Sequence, residues 1–252
     1  MTVLQTERLG IQLGQRVLLR GLDWQVSSGE LWCVLGRNGV GKTSLLQTLA
    51  GLLPPSAGRV LIDQVDLARI AVQPLARLRG LMPQQQLDAF SNTLVDTVLI
   101  GRTPYRIGRG WDSSADVTAA HDALARVDLA DRADSDVLQL SGGERQRLAL
   151  ATLLLQAPAI MLLDEPTAHQ DVAHQLQMLR LIQSVSRQHA VVMNCHDISL
   201  AVRFATHVLV LGDGFAQAGE VASTLDSSLL AAAFGCRFTF TGVGRERVFV
   251  AR

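Results

Sequence analysis

The apolar run Leu31-Trp32-Cys33-Val34-Leu35 leads directly into Gly36-Arg37-Asn38-Gly39-Val40-Gly41-Lys42-Thr43, and a helical pattern follows to Ala50 before Gly51 and Pro54-Pro55 stop it. A strand, a glycine loop and a helix in that order leave a chain few ways to fold. The spacing G-x-x-x-x-G-K-T lets backbone N–H groups turn toward a phosphate, and the helix N-terminus points its positive dipole at the same place. Lys42 is the only lysine in 252 residues; arginine fills every other basic position. Lysine is a compact point charge on a flexible stem, whereas arginine is a planar fork that needs more room. A glycine loop closing on a phosphate leaves space for the ammonium alone. Gly36, Arg37, Asn38, Gly39, Val40, Gly41, Lys42, Thr43 and Ser44 are therefore the candidate phosphate-binding residues. Lys42 reaches the terminal phosphates and the Thr43 hydroxyl ligates Mg²⁺. The implied ligand is a nucleoside triphosphate.

Hydrophobic residues make up 48% of the chain, enough for a well-buried core in one large domain or a domain carrying an inserted subdomain. Formal net charge is zero and the arginines are scattered, so there is no nucleic-acid footprint. Cys33, Cys195 and Cys236 are odd in number and form no C-x-x-C pair, which fits buried thiols in the reducing cytosol. No N-terminal secretion signal stands out. The longest apolar stretches, such as Leu148 to Leu155, fall short of the roughly 18 residues that span a bilayer. Membrane association is expected to come through a partner.

Short apolar segments recur at Arg59 to Ile62, Gly80 to Met82, Ala159 to Leu163, Val191 to Asn194 and His207 to Leu211. Continuous apolar runs of this kind suit parallel strands buried on both faces. Helical patterns alternate with them. Asp171 caps a segment whose Val172, Leu176, Leu179 and Ile182 share a face, and Asp197 is placed to cap the next. The fold class is α/β with a mostly parallel core sheet. Between Gln84 and Gln156 the strand signals give way to helical ones at Leu94 to Ile100, Ala115 to Val127 and Glu144 to Leu155. A helix over Ser227 to Phe234 and two short strands, Arg237 to Thr241 and Arg247 to Val250, close the chain.

Leu140-Ser141-Gly142-Gly143-Glu144-Arg145-Gln146-Arg147 reads on its own as a capping box, with Ser141 as N-cap and Glu144 three residues on. It also makes a second helix N-terminus suited to an anion. With the glycine loop, this octapeptide resembles the signature motif of ATP-binding cassette ATPases. The resemblance covers nearly the whole chain, because Lys42, Gln84, Ser141, Asp164-Glu165, Asp171 and His196 follow the family's order. It implies a P-loop NTPase core of residues 1–86 and 157–252, with an N-terminal antiparallel β subdomain, and an inserted α-helical subdomain of residues 87–156 carrying the signature.

Ile160-Met161-Leu162-Leu163-Asp164-Glu165-Pro166-Thr167 is an apolar strand ending in two acids that face opposite ways, with Pro166 stopping it. By the family pattern Asp164 helps hold Mg²⁺ and Glu165 is the general base that polarises the attacking water. The plainer alternative is two acids solvating a strand end. His196, after Val191 to Cys195, matches the switch histidine that contacts the terminal phosphate; Cys195 faces the other side of its strand and is no nucleophile. Gln84, first of three glutamines with Gln85 and Gln86, resembles the Q-loop residue that ligates Mg²⁺ or positions water. Asp171 resembles the D-loop aspartate while also capping its helix. Leu13 falls where the family often stacks an aromatic residue on adenine, which implies modest discrimination among bases. His121, His169, His174, His189 and His207 make no metal constellation.

In this family Ser141, Gly142, Gly143 and Glu144 would contact the nucleotide held by the opposite subunit, so one chain with one of each motif implies a homodimer or a pair of similar cassettes. ATP and Mg²⁺ are the implied cofactors. The implied partners are integral membrane permease subunits and, indirectly, a periplasmic or extracellular substrate-binding protein, with no nucleic acid. The implied location is peripheral, on the cytoplasmic face of the cell membrane. Ile100-Gly101-Arg102-Thr103-Pro104, His196-Asp197-Ile198-Ser199-Leu200 and Ala233-Phe234-Gly235 resemble the cassettes that import cobalamin, ferric siderophores or haem. A cassette of another transporter class, a soluble cassette working on ribosomes or DNA, and a P-loop kinase or switch are the competing readings.

Overall fold

Alternating side chains on strands buried from both sides dictate a three-layer arrangement, and the computed structural model shows it for residues 3–85, 90–106, 112–244 and 247–252. Strands β1 (Val3–Leu13) and β2 (Arg16–Ser27) form an antiparallel hairpin. Strand β3 (Leu31–Leu35) is buried along its whole length and leads through the glycine loop into α1 (Lys42–Leu49). Strands β4 (Ala57–Ile62) and β5 (Val65–Asp66) return to the hairpin, giving a four-stranded antiparallel sheet in the order β2-β1-β4-β5. Helix α2 (Val72–Leu78) then precedes β6 (Arg79–Met82).

The next three longer helices are α3 (Leu94–Leu99), α4 (Ser114–Arg126) and α5 (Gly142–Gln156). Among the described residues the only bridge pairing in this stretch is an isolated one, Thr93 with Asp136. The chain re-enters the core at β7 (Ile160–Leu163), α6 (Val172–Ser186), β8 (Ala190–Asn194), α7 (Ile198–Phe204), β9 (His207–Gly212) and β10 (Phe215–Glu220). Helices α8 (Val221–Thr224) and α9 (Ser227–Phe234) and the hairpin of β11 (Phe238–Thr241) and β12 (Val248–Ala251) follow.

The central sheet runs β10-β9-β3-β8-β7-β6, parallel except for β10 at its edge. Period-two alternation divides its side chains between two cores. Leu31, Cys33, Leu35, Met161, Leu163, Val191, Met193, Val208 and Val210 pack against the helical side. Trp32, Val34, Ile160, Leu162, Val192, Leu209 and Leu211 pack against α1 and the antiparallel sheet. Trp24 meets Trp32 edge-on at 5.1 Å, and Trp32 stacks on His207 at 4.6 Å, so aromatic contacts tie the β2 layer to the sheet. With both faces covered, only the sheet's edges are left for polar work. The carboxyl ends of β3, β6, β7 and β8 lie side by side on one of them.

Helix caps follow the sequence signals. Ser113, Ser141, Asp171, Asp197 and Asp226 each accept hydrogen bonds from first-turn N–H groups. The helical stretch is docked on α5 through a close approach at Gly101. A Cβ there would lie 2.4 Å from the Thr152 carbonyl oxygen. Tyr105 adds a hydroxyl bond to the Gln156 carbonyl at 2.8 Å. Since helix backbone cannot yield as a flexible side chain would, Gly101→Ala is expected to destabilise the protein by about 1–3 kcal/mol in urea unfolding. A change within about 0.5 kcal/mol of zero would overturn the role of this close approach in docking the helical stretch.

Candidate functional site

The glycine loop is shaped as much by the protein on its outer side as by the space it encloses. Gly36 has φ +149°, and a Cβ there would stand 2.5 Å from the Leu211 carbonyl oxygen of β9. Gly41, the N-cap of α1, has φ +114°, and its Cβ would press on Leu18 at 3.0 Å. Lys42, Thr43 and Ser44 form the first turn, where N–H groups lack intrahelical partners. Lys42 is 6% exposed, and its ammonium donates to the carbonyl oxygens of Gly36 at 2.8 Å and Arg37 at 3.2 Å. Burial pushes this ammonium below its ordinary pKa, and the charges of Glu165 and Asp164 pull the other way. Arg37 and Asn38 are exposed, whereas Val40 is buried beneath the loop.

At the end of β7 the two acids part company. Asp164 turns inward, is 3% exposed, and accepts a 2.5 Å hydrogen bond from Asn194 Nδ2. Glu165 has φ +52°, an uncommon conformation for a residue with a side chain. Its Oε2 accepts from Gln84 Nε2 at 2.9 Å, and its Oε1 is hydrogen-bonded to His196 Nε2. Both carboxylate oxygens are thus fixed by loops that leave β6 and β8. Lys42, Thr43, Gln84, Glu165 and His196 line one open cavity of about 500 Å³, whose far wall is Leu13, Arg16 and Leu18. Gln86 lies outside the described residues.

The other motif stands elsewhere. Ser141 caps α5 in a complete capping box: its Oγ accepts from the Glu144 N–H at 3.3 Å and donates to Glu144 Oε2 at 2.7 Å. Glu144 also accepts the Ser141 N–H at 2.8 Å and pairs with Arg132 at 2.5 Å. Burial raises the Glu144 carboxyl, but the bonds from Ser141 and Arg132 together outweigh it and bring the pKa down to about 2. Ser141, Gly142, Gly143 and Glu144 do not line the cavity around Lys42. Gly142 and Gly143 pass against His169 and Gln170, where a Cβ on Gly143 would sit 2.9 Å from the His169 carbonyl. Asp171 is exposed and accepts both the backbone N–H and the ring Nδ1 contact of His174.

Several residues in or beside the site carry no motif. Arg16 and Leu18 reach it from β2, a strand with no distinct pattern of its own. Gln146, 6% exposed on α5, donates to the Gln84 carbonyl at 2.6 Å and ties the helix begun by Ser141 to the loop that holds Glu165. Asn194 breaks an otherwise apolar strand, and that single polar residue is the one signal that could have marked it.

No group of three His, Cys, Asp or Glu side chains among the described residues could hold a metal unaided. Mg²⁺ rarely asks for one, since it takes one or two carboxylates together with phosphate oxygens and water. A hydroxyl at Thr43, an amide at Gln84, a buried carboxylate at Asp164 and the buried, unpartnered Oδ1 of Asn194 fit that habit.

The family model described as ABC transporter matches residues 19–168. The chain is 34% identical to the petrobactin import ATP-binding protein FpuD of Bacillus anthracis over 83% of this chain and 78% of that one. It is 36% identical to the hemin import ATP-binding protein HmuV of Gloeobacter violaceus, over 84% and 79%. It is 37% identical to the cobalamin import ATP-binding protein BtuD of Halobacterium salinarum over 91% of this chain, but spans only 58% of that longer protein. A solved metal-chelate type ABC transporter in an inward-facing conformation superposes with a TM-score of 0.85 at 27% identity, covering 100% of this chain and 97% of its own. A dimeric ATP-binding cassette bound to ADP and Pi superposes with a TM-score of 0.75 at 25% identity, over 86% and 98%.

The Glu144 cluster has a pH signature. A carboxyl held at about 2 in the folded chain and near its ordinary 4.5 when unfolded contributes stability that is complete above 4.5 and is lost as pH falls toward 2. Glu144→Gln should therefore be less stable than the parent at pH 7, and the gap in urea midpoint should narrow as pH is lowered through 4.5. A gap independent of pH would remove the charge from the capping box.

Proposed function

The chain belongs to the ABC transporter family and is an ATP hydrolase coupled to transport; on that premise we propose that it powers import of a metal chelate such as a ferric siderophore, cobalamin or haem through a partner permease. The two-point grip on Glu165 is the observation that carries the chemical half of this reading. Glu165 takes the proton of the attacking water as general base, with Gln84 and His196 fixing the direction of its lone pairs. Lys42 leaves its carbonyl partners for the β and γ phosphates, joined by the N–H groups from Gly36 to Ser44. Mg²⁺, held by Thr43 and Gln84 and through Asp164, would draw charge from the phosphate oxygens. His196, which also lines the cavity, would stand beside the terminal phosphate and would link bond cleavage to the end of β8.

The placement of Ser141, Gly142, Gly143 and Glu144 outside the Lys42 cavity supports a site completed by a second copy of the chain. Nucleotide that touches both copies favours the closed dimer, and loss of the γ-phosphate releases it. Asp171 follows His169 and Gln170, which pack on Gly142 and Gly143, so it would feel that closure. In the working unit the core of residues 1–86 and 157–252 holds nucleotide and the inserted subdomain of residues 87–156 presents the signature. The substrates for which those relatives are named support the chelate class, and similarity to the metal-chelate transporter structure supports the same class. No helix of the described residues is long and apolar enough to cross a membrane, which suits a peripheral subunit docked on permeases at the cytoplasmic face. A substrate-binding protein would then serve the far side.

Glu165→Gln is expected to bind ATP, accumulate as a nucleotide-dependent dimer in size-exclusion chromatography, and lose about 10²–10⁴ in turnover. Near-normal hydrolysis would reject Glu165 as the base. Ser141→Ala should weaken that dimer while the monomer binds nucleotide as before. For the cargo, a strain lacking this chain should fail to take up a ferric siderophore, cobalamin or haem, and a permease should copurify with the chain. Copurification of ribosomes in its place would overturn the transport reading.

A further inference from the structure

Asn194 is the last residue of β8, after Ala190, Val191, Val192 and Met193, and it is 1% exposed. A buried amide among apolar neighbours is costly unless both its ends are hydrogen-bonded. Here one end is. Nδ2 donates to Asp164 Oδ1 at 2.5 Å, while Oδ1 is buried without a hydrogen-bond partner. The orientation follows from chemistry, because an ionised carboxylate only accepts and so must face the NH₂ group. Valine or leucine would fill the same place in β8 without an orphan, so packing alone does not account for asparagine. The location does: β8 lies between β3 and β7, with Asn194 paired to Val34 just before the glycine loop and Met193 paired to Leu163 just before Asp164.

We propose that Asn194 is a positioning residue for the divalent cation, holding the Asp164 carboxylate by one oxygen and offering its own Oδ1 to a water that enters with the cation. This rests on the reading that a cation binds beside Thr43 and the phosphates. The Asp164 carboxylate has lone pairs to spare once Asn194 has taken one, and its second oxygen serves the cation's water shell. Asn194 touches neither nucleotide nor attacking water. Its effect is on cation affinity, through the aspartate it holds.

The test uses Mn²⁺ with ADP on the full chain, read by electron paramagnetic resonance, so that no turnover is needed. While keeping the number and branching of the side-chain heavy atoms, Asn194→Leu removes donor and acceptor. Asn194→Val does the same with a β-branched side chain suited to a strand interior, should the leucine variant fail to fold. Either folded variant is expected to bind Mn²⁺ in the presence of ADP about tenfold more weakly than the parent, with ADP affinity in EDTA unchanged. Mn²⁺ affinity within twofold of the parent would overturn the inference, as would an equal loss of ADP affinity in EDTA, which marks general damage to the loop. Failure of the parent itself to bind Mn²⁺ with ADP would strike the cation-site reading underneath.

Discussion

Burial of the parallel sheet on both faces is the constraint from which the rest of this structure follows. β3, β7 and β8 carry almost no polar side chain along their lengths, since any polar group there would need a partner in an apolar layer. Chemistry is pushed to the carboxyl edge, where four neighbouring strands release the glycine loop, Gln84, Glu165 and His196 around one cavity, with Asp164 buried behind its lining but close enough for its charge to act on Lys42. Asn194 is the exception, and it sits at the last position before that edge.

The edge must also balance charge. Lys42 is nearly as buried as the core around it, and desolvation alone would favour the neutral amine. Two carboxylates nearby oppose that, and the loop's own carbonyls solvate the ammonium. An arginine placed there would bring a rigid planar fork to a cage shaped by Gly36 against Leu211 and by Gly41 against Leu18. The glycines are needed on both sides of the loop, toward the phosphate and toward the protein, and only the first need is visible in the motif.

That difference explains what the amino-acid order disclosed. Long periodic or continuous apolar segments announced themselves: β3 and α9 fall on the expected residues, and β7, β8 and α4 within one. Edge and half-buried elements did not. Strand β2 alternates irregularly across bulges, and β10, which among the described residues pairs only with β9, has a mostly exposed or half-buried pattern that carries no period. The same holds within the site. Glu165, His196 and Gln84 stand in motifs, so their meeting in one cavity was readable. Arg16 reaches the cavity from the N-terminal hairpin and Gln146 bonds Gln84, 62 residues away, and no local pattern encodes such a contact.

Ser141 shows why a capping box and a trans ligand need not compete for one residue. A hydroxyl has one donor and two acceptor positions, and in the free chain its donor goes to Glu144 Oε2. A phosphate oxygen of a partner-held nucleotide, in the proposed dimer, would claim that donor. Glu144 would then keep the Ser141 N–H and Arg132, and the Glu144 N–H would keep the Ser141 Oγ as its acceptor. The helix start survives, and the exchange costs about one neutral-to-charged hydrogen bond while another of the same kind forms. The ion pair with Arg132 is what makes this reversible, because the Glu144 charge keeps that partner and the Ser141 N–H whether or not the serine hydroxyl has turned away.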